Sequence, residues 1–299
     1  MLKEKRVKSV LNKHKKRDSW FLDDYSVNPY EGCSCNCMYC YIRGSKYGEN
    51  MEQGLAVKIN LPEILDKQLA GRAKKNQYGF VAVGSGTDAY IHQEEKHRMT
   101  RQILELLRKH RFPVFISTKR ALITRDIDLL KEIDANAILP DDLASRLHRG
   151  LILSVSISSM DEKISNRLEP GAIPPLERLE LVRQLKKEGF LTGVNAIPVL
   201  PYISDKEEEL EKIIAAARAH DADYILVGGL TLFGNGIADS KTLYYRFLES
   251  YDPSLLPKYQ ALYKNNFYVP FSYQDELKSK AMKINRKYGI RNTILSNHK

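Results

Sequence analysis

All four cysteines of the 299-residue chain fall between positions 33 and 40, inside the stretch NPYEGCSCNCMYCYIR (28–43). Cys33, Cys37 and Cys40 are spaced C-x3-C-x2-C, and Cys35 sits between the first two. Thiols crowded this way in a chain with no other cysteine point to a metal site rather than to disulfides. Near neighbours such as Cys35 and Cys37 do not readily reach disulfide geometry. Iron–sulfur clusters are held by thiolates, and a four-iron cube normally takes four. Three closely spaced sulfurs reach three irons and leave one open to a small ligand carrying amine and carboxylate groups. The other reading is a structural zinc site, which closes a tetrahedron with four ligands. It would need Cys35 or a distant histidine, and sulfurs this close in sequence leave short chords for a closed site.

Further polar residues suit ligand contact. Ser154, Ser156 and Ser158 alternate with Val155 and Ile157, so period two puts them on one face of a strand. A parallel strand is normally covered on both sides, so this stripe reads as a ligand-lined interior rather than a solvent face. The segment VAVGSGTD ends a strand in small residues that let backbone approach a ligand, and Thr87 adds a hydroxyl there. Lys119 follows FPVFIST and suits a carboxylate as a point charge. Each has an ordinary reading as well: Thr87 as a turn cap, Lys119 as a surface lysine. Arg167 and Glu169 in RLEPGA either touch ligand or pair with neighbours. Asp126 in RDIDLL marks a helix start, where a carboxylate meets the positive end.

These residues need a frame, and the sequence supplies an alternating one. Apolar runs suited to buried strands lie at 80–84, 112–118, 151–157, 192–200 and 224–230, with one more expected around 25–30. Helical periodicity fills 61–74, 97–110, 126–135, 176–188 and 206–219. Alternation with short connections implies a parallel sheet of about six β/α units. After residue 235 the alternation fades into a helical and looped cap, and 271–289 reads as an amphipathic helix ending at Gly289.

Composition is ordinary for a globular chain, 43% hydrophobic and 28% charged, but the net charge of +10 is unevenly placed. Residues 1–19 carry eight Lys/Arg against Glu4 and Asp18, and 271–299 carry seven against Asp275 and Glu276. Basic ends read either as phosphate contacts or as solvated tails. No apolar run is long enough to span a membrane, and the basic N-terminus lacks the core of a secretory signal. A cytoplasmic protein is expected, where thiols stay reduced.

The cysteine stretch resembles the cluster loop of the radical SAM superfamily, in the form found in the spore photoproduct lyase-like (DNA repair photolyase-like) group. Further pieces match that group in order: GSGTDAY (84–90), TKRALITRDIDLL (118–130), SVSIS (154–158), RLEPGA (167–172) and VNAIPVLPYISD (194–205). The resemblance covers about residues 25–235. It implies an α/β fold, a partial (β/α)6 TIM-type barrel over 20–235, with a basic N-terminal arm (1–19) and a mostly helical C-terminal extension (236–299). It implies a 4Fe–4S cluster on Cys33, Cys37 and Cys40, with S-adenosylmethionine (SAM) on the open iron. An electron from a reductant such as ferredoxin or flavodoxin would then cleave the sulfonium and generate a 5′-deoxyadenosyl radical. Positions matching Thr87, Lys119 and Ser156 contact SAM in the family pattern. Tyr39 sits against the adenine, Asn195 and Ala196 line the ribose or adenine, and Tyr41 matches a radical-relay tyrosine.

The chain departs from the pattern twice. Cys35 stands where the group usually has histidine. No cysteine occurs near Ser85, where the lyase has its hydrogen donor, and a serine O–H bond is too strong to replace it. Thymine-dimer repair in its usual form is therefore not expected. The function expected is radical SAM catalysis, of lyase or transferase type, on DNA or RNA, with Trp20, Phe21 and Tyr25 as stacking surfaces. The alternatives are an enzyme acting on a peptide or small metabolite, and a non-catalytic metal-binding nucleic-acid module.

Overall fold

The computed structural model describes residues 2–45, 48 and 54–296. Its strands are β1 (Lys3–Lys5), β2 (Asn12–Lys13), β3 (Asp23–Val27), β4 (Tyr30–Glu31), β5 (Ala56–Lys58), β6 (Phe80–Val83), β7 (Val114–Thr118), β8 (Leu151–Ser156), β9 (Leu191–Val199) and β10 (Ile225–Gly229). Among the described residues, β3 and β6 to β10 form one parallel sheet in the order β10-β9-β8-β7-β6-β3. The antiparallel β2 extends it beyond β3. The sheet is open, with β10 at one edge and β2 at the other. A second, small sheet pairs β1 and β4 with β5.

Each parallel strand but the last is followed by helix before the next begins, as crossover connections require. The main helices are α1 (Leu61–Ala73), α3 (Met99–Lys109), α4 (Ile127–Asn136), α7 (Pro175–Lys187), α8 (Glu207–Ala219) and α11 (Phe271–Tyr288), with the short α2 (Glu94–His97) before α3 and α5 (Asp141–Ala144) after α4. Their apolar residues recur at helical spacing: Leu61, Leu65 and Leu69 of α1 are all buried, as are Ile103, Leu104 and Leu107 of α3. They pack on one face of the sheet, against Val81, Val83, Val114, Ile116, Leu153 and Val155. Burial of each such side chain contributes about 1.5–3 kcal/mol. Gly289 ends α11 in the left-handed conformation, φ 62°.

The opposite, inner face carries Phe80, Ala82, Phe115, Ile152, Leu191, Tyr224 and Leu226 at its lower level. Ser117, Ser156 and Asn195 occupy it nearer the strands' C-terminal ends. Gly193 makes room for Tyr224, since a Cβ there would stand 2.4 Å from the ring. After β10, α9 (Ser240–Tyr251) and α10 (Leu255–Tyr263) build a separate aromatic cluster of Tyr244, Phe247, Tyr259 and Tyr263. That cluster also receives Tyr39 from the cysteine loop and Leu168 from α6 (Glu162–Leu168).

The basic N-terminal segment is docked, not frayed. β1 and β2 belong to the two sheets, and Val10 and Leu11 are buried with their amides donating to Gln68 Oε1 at 3.2 and 2.9 Å. Arg17 pairs with Asp24 at 3.0 Å and also with Asp142.

Candidate active site at the cysteine loop

The cysteine loop follows β4 and is tied down by backbone geometry first. Gly32 (φ 74°) and Asn36 (φ 50°) turn it through left-handed conformations. Thr87 Oγ1 donates to the Gly32 carbonyl at 2.7 Å, and His92 N donates to Ser34 Oγ at 3.0 Å. On the other side Gly171 N donates to the Cys35 carbonyl at 3.1 Å and Met38 N to the Leu168 carbonyl at 2.8 Å. Gly171 presses so close that a Cβ there would lie 1.9 Å from the Ser34 carbonyl oxygen. RLEPGA therefore holds the loop through Gly171.

Cys33, Cys37 and Cys40 are partly buried, Cys35 is buried, and all four are free thiols. A hydrogen bond from Cys35 holds the Cys33 thiol down at about 7, against an ordinary value of 9.0. The same bond pushes Cys35 up. Burial pushes Cys37 and Cys40 up. Thiols that resist ionisation alone are deprotonated when a metal binds them. Among the described residues no group of three or more His, Cys, Asp or Glu is placed to hold a single metal ion. Thiolates of an iron–sulfur cube bind different irons and need not meet at one point.

Asp88 organises the cation side of the loop, a role its place in GSGTDAY did not reveal. Its carboxylate accepts from Thr118 Oγ1 at 2.7 Å, Lys119 N at 2.8 Å and Tyr90 N at 2.8 Å. Its own amide donates to Cys33 Sγ at 3.4 Å. One residue thus joins the loop after β6, the end of β7 and the first cysteine. Lys119 stands partly buried beside the thiols. Burial pulls its ammonium down, but its neighbours Cys37, Cys35 and Asp88 outweigh that and the net shift is upward. No hydrogen-bond or ion-pair partner of the Lys119 side chain is found among the described residues.

On the inner face Ser117 and Ser156 share a hydrogen bond at 3.0 Å, and Asn195 Nδ2 donates to Ser117 Oγ at 2.9 Å. Asn195 Oδ1 is buried and has no partner among the described residues. The serine stripe is thus interior, not solvent-facing: Ser154 bonds Tyr224 at 2.7 Å and Ser158 bonds Tyr39 at 2.8 Å. Ala196 points the other way, into the helix-side core, so only its backbone is left for a ligand.

Tyr39 is buried, with its hydroxyl on Ser158 and Glu169. Glu169 pairs with Arg178 at 2.5 Å, and Arg178 also donates to the Ser156 carbonyl and to Ser165 Oγ, both at 2.9 Å. Burial raises the Glu169 carboxyl even so. Arg167, by contrast, turns away to Ser250 and the ring of Phe247. Arg178 escaped notice because it lies within an ordinary amphipathic helix; its one signal is an arginine on that helix's buried side. Tyr41 is 47% exposed and donates to the Ser85 carbonyl at 2.5 Å. The loop after β6 thus meets the last turn of the cysteine loop.

The Radical SAM superfamily model matches residues 27–214 of this chain. An uncharacterized protein of Mycobacterium tuberculosis is 28% identical over 272 residues, covering 89% of this chain and 75% of that protein. The Radical SAM Nalpha-GlyT isomerase of Pseudomonas phage M6 is 23% identical over 204 residues, covering 67% of this chain and 39% of that protein. Spore photoproduct lyase with bound AdoMet and dinucleoside spore photoproduct superposes with a TM-score of 0.63 at 15% identity, over 91% of this chain and 76% of the lyase. The parallel sheet, its thiol-bearing loop and the extent of the family match together place this chain in the Radical SAM superfamily, as an enzyme whose cofactors are a 4Fe–4S cluster and SAM.

Proposed function

We propose that Cys33, Cys37 and Cys40 ligate the cluster, that SAM lies between Lys119 and Asn195, and that the substrate is nucleic acid. Two atoms of this chain fit SAM. The Lys119 ammonium and Asn195 Oδ1, both without a partner among the described residues, suit its carboxylate and a ribose or adenine donor. When bound, the cofactors supply one-electron cleavage of the sulfonium and hydrogen-atom abstraction from a substrate carbon. The chain's own residues position and enclose. Thr87 and Ser156 have hydroxyls already engaged with Gly32 and Ser117, so they shape the SAM site more than they bind it. Tyr39 braces the loop below the adenine, and Ala196 offers backbone. Cys35 stays a thiol, with its Sγ 3.8 Å from Asp88 Oδ2 as donor. Tyr41, exposed and bonded to the Ser85 carbonyl, is the candidate for hydrogen relay.

The single observation that carries the nucleic-acid target is the docked basic segment. Lys13, Lys15 and Lys16 are exposed on the hairpin at the open edge of the sheet. Bound AdoMet and a dinucleoside in a protein of the same fold support the reading. It is tested by anaerobic incubation with SAM and a low-potential reductant. Release of 5′-deoxyadenosine should rise when DNA or RNA is added. A rise with peptides or metabolites but not with nucleic acid would reverse the assignment.

A further inference from the structure

This inference rests on the nucleic-acid reading above and narrows it to one contact. The three aromatic residues near the basic hairpin do not play the same part. Tyr25 is buried, its hydroxyl donating to the Gln77 carbonyl at 2.9 Å. Phe21 lies on Phe115 of the inner face, with ring centroids 5.1 Å apart. Trp20 alone stays 40% exposed.

Its position is nonetheless built. Asp18 Oδ1 accepts from Trp20 N at 2.7 Å and from Phe21 N at 2.8 Å. Leu22, left-handed at φ 62°, closes the turn with its amide on the Asp18 carbonyl at 3.1 Å. The turn hangs from β3, yet it crosses the inner face to β9 and β10. A Cβ placed on Gly228 would stand 3.2 Å from Trp20 Cζ3, 3.3 Å from Cη2 and 3.2 Å from Ile197 Cγ1. Gly228 therefore leaves the space that the indole edge uses. Asn195, with its unpartnered oxygen, lies two residues before Ile197 on the same face of β9.

Free charge lies on the same hairpin in the chain. Arg17 and His14 are taken up by Asp24 and Asp23, but Lys13, Lys15 and Lys16 are exposed and form no ion pair among the described residues. A part-exposed indole held by its turn, on a hairpin that also carries free cations, suits stacking on bases while neutralising phosphates. We propose that Trp20 is the stacking platform for an unpaired nucleobase of single-stranded nucleic acid entering the open side of the sheet, with Lys13, Lys15 and Lys16 on its phosphates.

The chain has one tryptophan, so its fluorescence reports on this position alone. The full-length chain is titrated with labelled oligo(dT) and oligo(U), with a duplex of the same length, and with inorganic polyphosphate as an anion without bases. Binding is followed by label anisotropy, or by competition for polyphosphate. The single strands should quench the indole emission over the same concentration range in which they bind. Polyphosphate should bind without quenching. Trp20→Ala should weaken single-strand binding roughly tenfold, while Trp20→Phe retains most of it. Deeper quenching by oligo(dT) or by oligo(U) would tell DNA from RNA. Single strands that bind with unchanged emission, and equally well to Trp20→Ala, would overturn the stacking role and leave the nucleic-acid reading standing. No binding of any strand would overturn both.

Discussion

Burial raises two carboxyls that have very different partners. Glu169 sits against Arg178, and the rest of its lone pairs are taken by Tyr39, Ser158 and Ser165. Such a pair is retained because removing one partner strands a buried charge, at about 3–5 kcal/mol. Among the described residues Asp23 has the partly exposed ring of His14, 3.1 Å away, as its one ion-pair partner. Burial wins here too, and its carboxyl rises to about 6 from an ordinary 3.8. The folded chain binds this proton more tightly than the unfolded chain does. The resulting stability is fully present below about pH 4 and is lost as pH rises through about 6. Asp23→Asn is neutral throughout, so it should gain on the native chain across that window, by about 1–2 kcal/mol at pH 7. Urea denaturation at pH 4, 5, 6 and 7 checks this; a difference that does not grow with pH would contradict it.

At the scale of elements, the cysteine loop takes its shape from neighbours more than from itself. Gly171 is the tightest of them, with the Ser34 carbonyl where a methyl group would go. Gly171→Ala should displace the loop and lower iron incorporation at least several-fold, while the far-ultraviolet circular dichroism of the sheet and helices stays native. Full iron content in that variant would show that the loop adjusts freely. The same contrast explains what the sequence revealed. Each long element announced itself through periodicity, and α3, α7 and α8 lie within a residue or two of where apolar spacing puts them. β1, β2, β4 and β5 are two or three residues long and carry no period to read. In the site, the cysteine spacing and the serine stripe were legible because both are local patterns. Asp88 was not, because its partners Cys33 and Thr118 lie far off in sequence and meet it only in the fold. Arg178 was hidden in the same way, reaching Glu169 from the next helix.

At the scale of the whole molecule, the basic N-terminal segment is part of the fold. Lys3, Lys8, Lys13, Lys15 and Lys16 are exposed, while the segment that bears them is built into both sheets. Removing residues 1–19 would therefore strip strands as well as charge, and neutralisation is the cleaner perturbation. Replacing Lys13, Lys15 and Lys16 with Gln should weaken nucleic-acid binding at low salt and flatten its salt dependence. The slope of log affinity against log salt should fall by about 2 for a single strand. An unchanged slope would move the phosphate contacts elsewhere.

The central claim is that three thiolates hold a cluster whose remaining iron serves SAM. Its most direct measurement is iron content together with 5′-deoxyadenosine release from anaerobically reconstituted protein, compared across the native chain, Cys37→Ala and Cys35→Ala. The account predicts about four irons per native chain, no release from Cys37→Ala, and retained iron and release in Cys35→Ala. Zinc in place of iron, or equal loss in both variants, would contradict it.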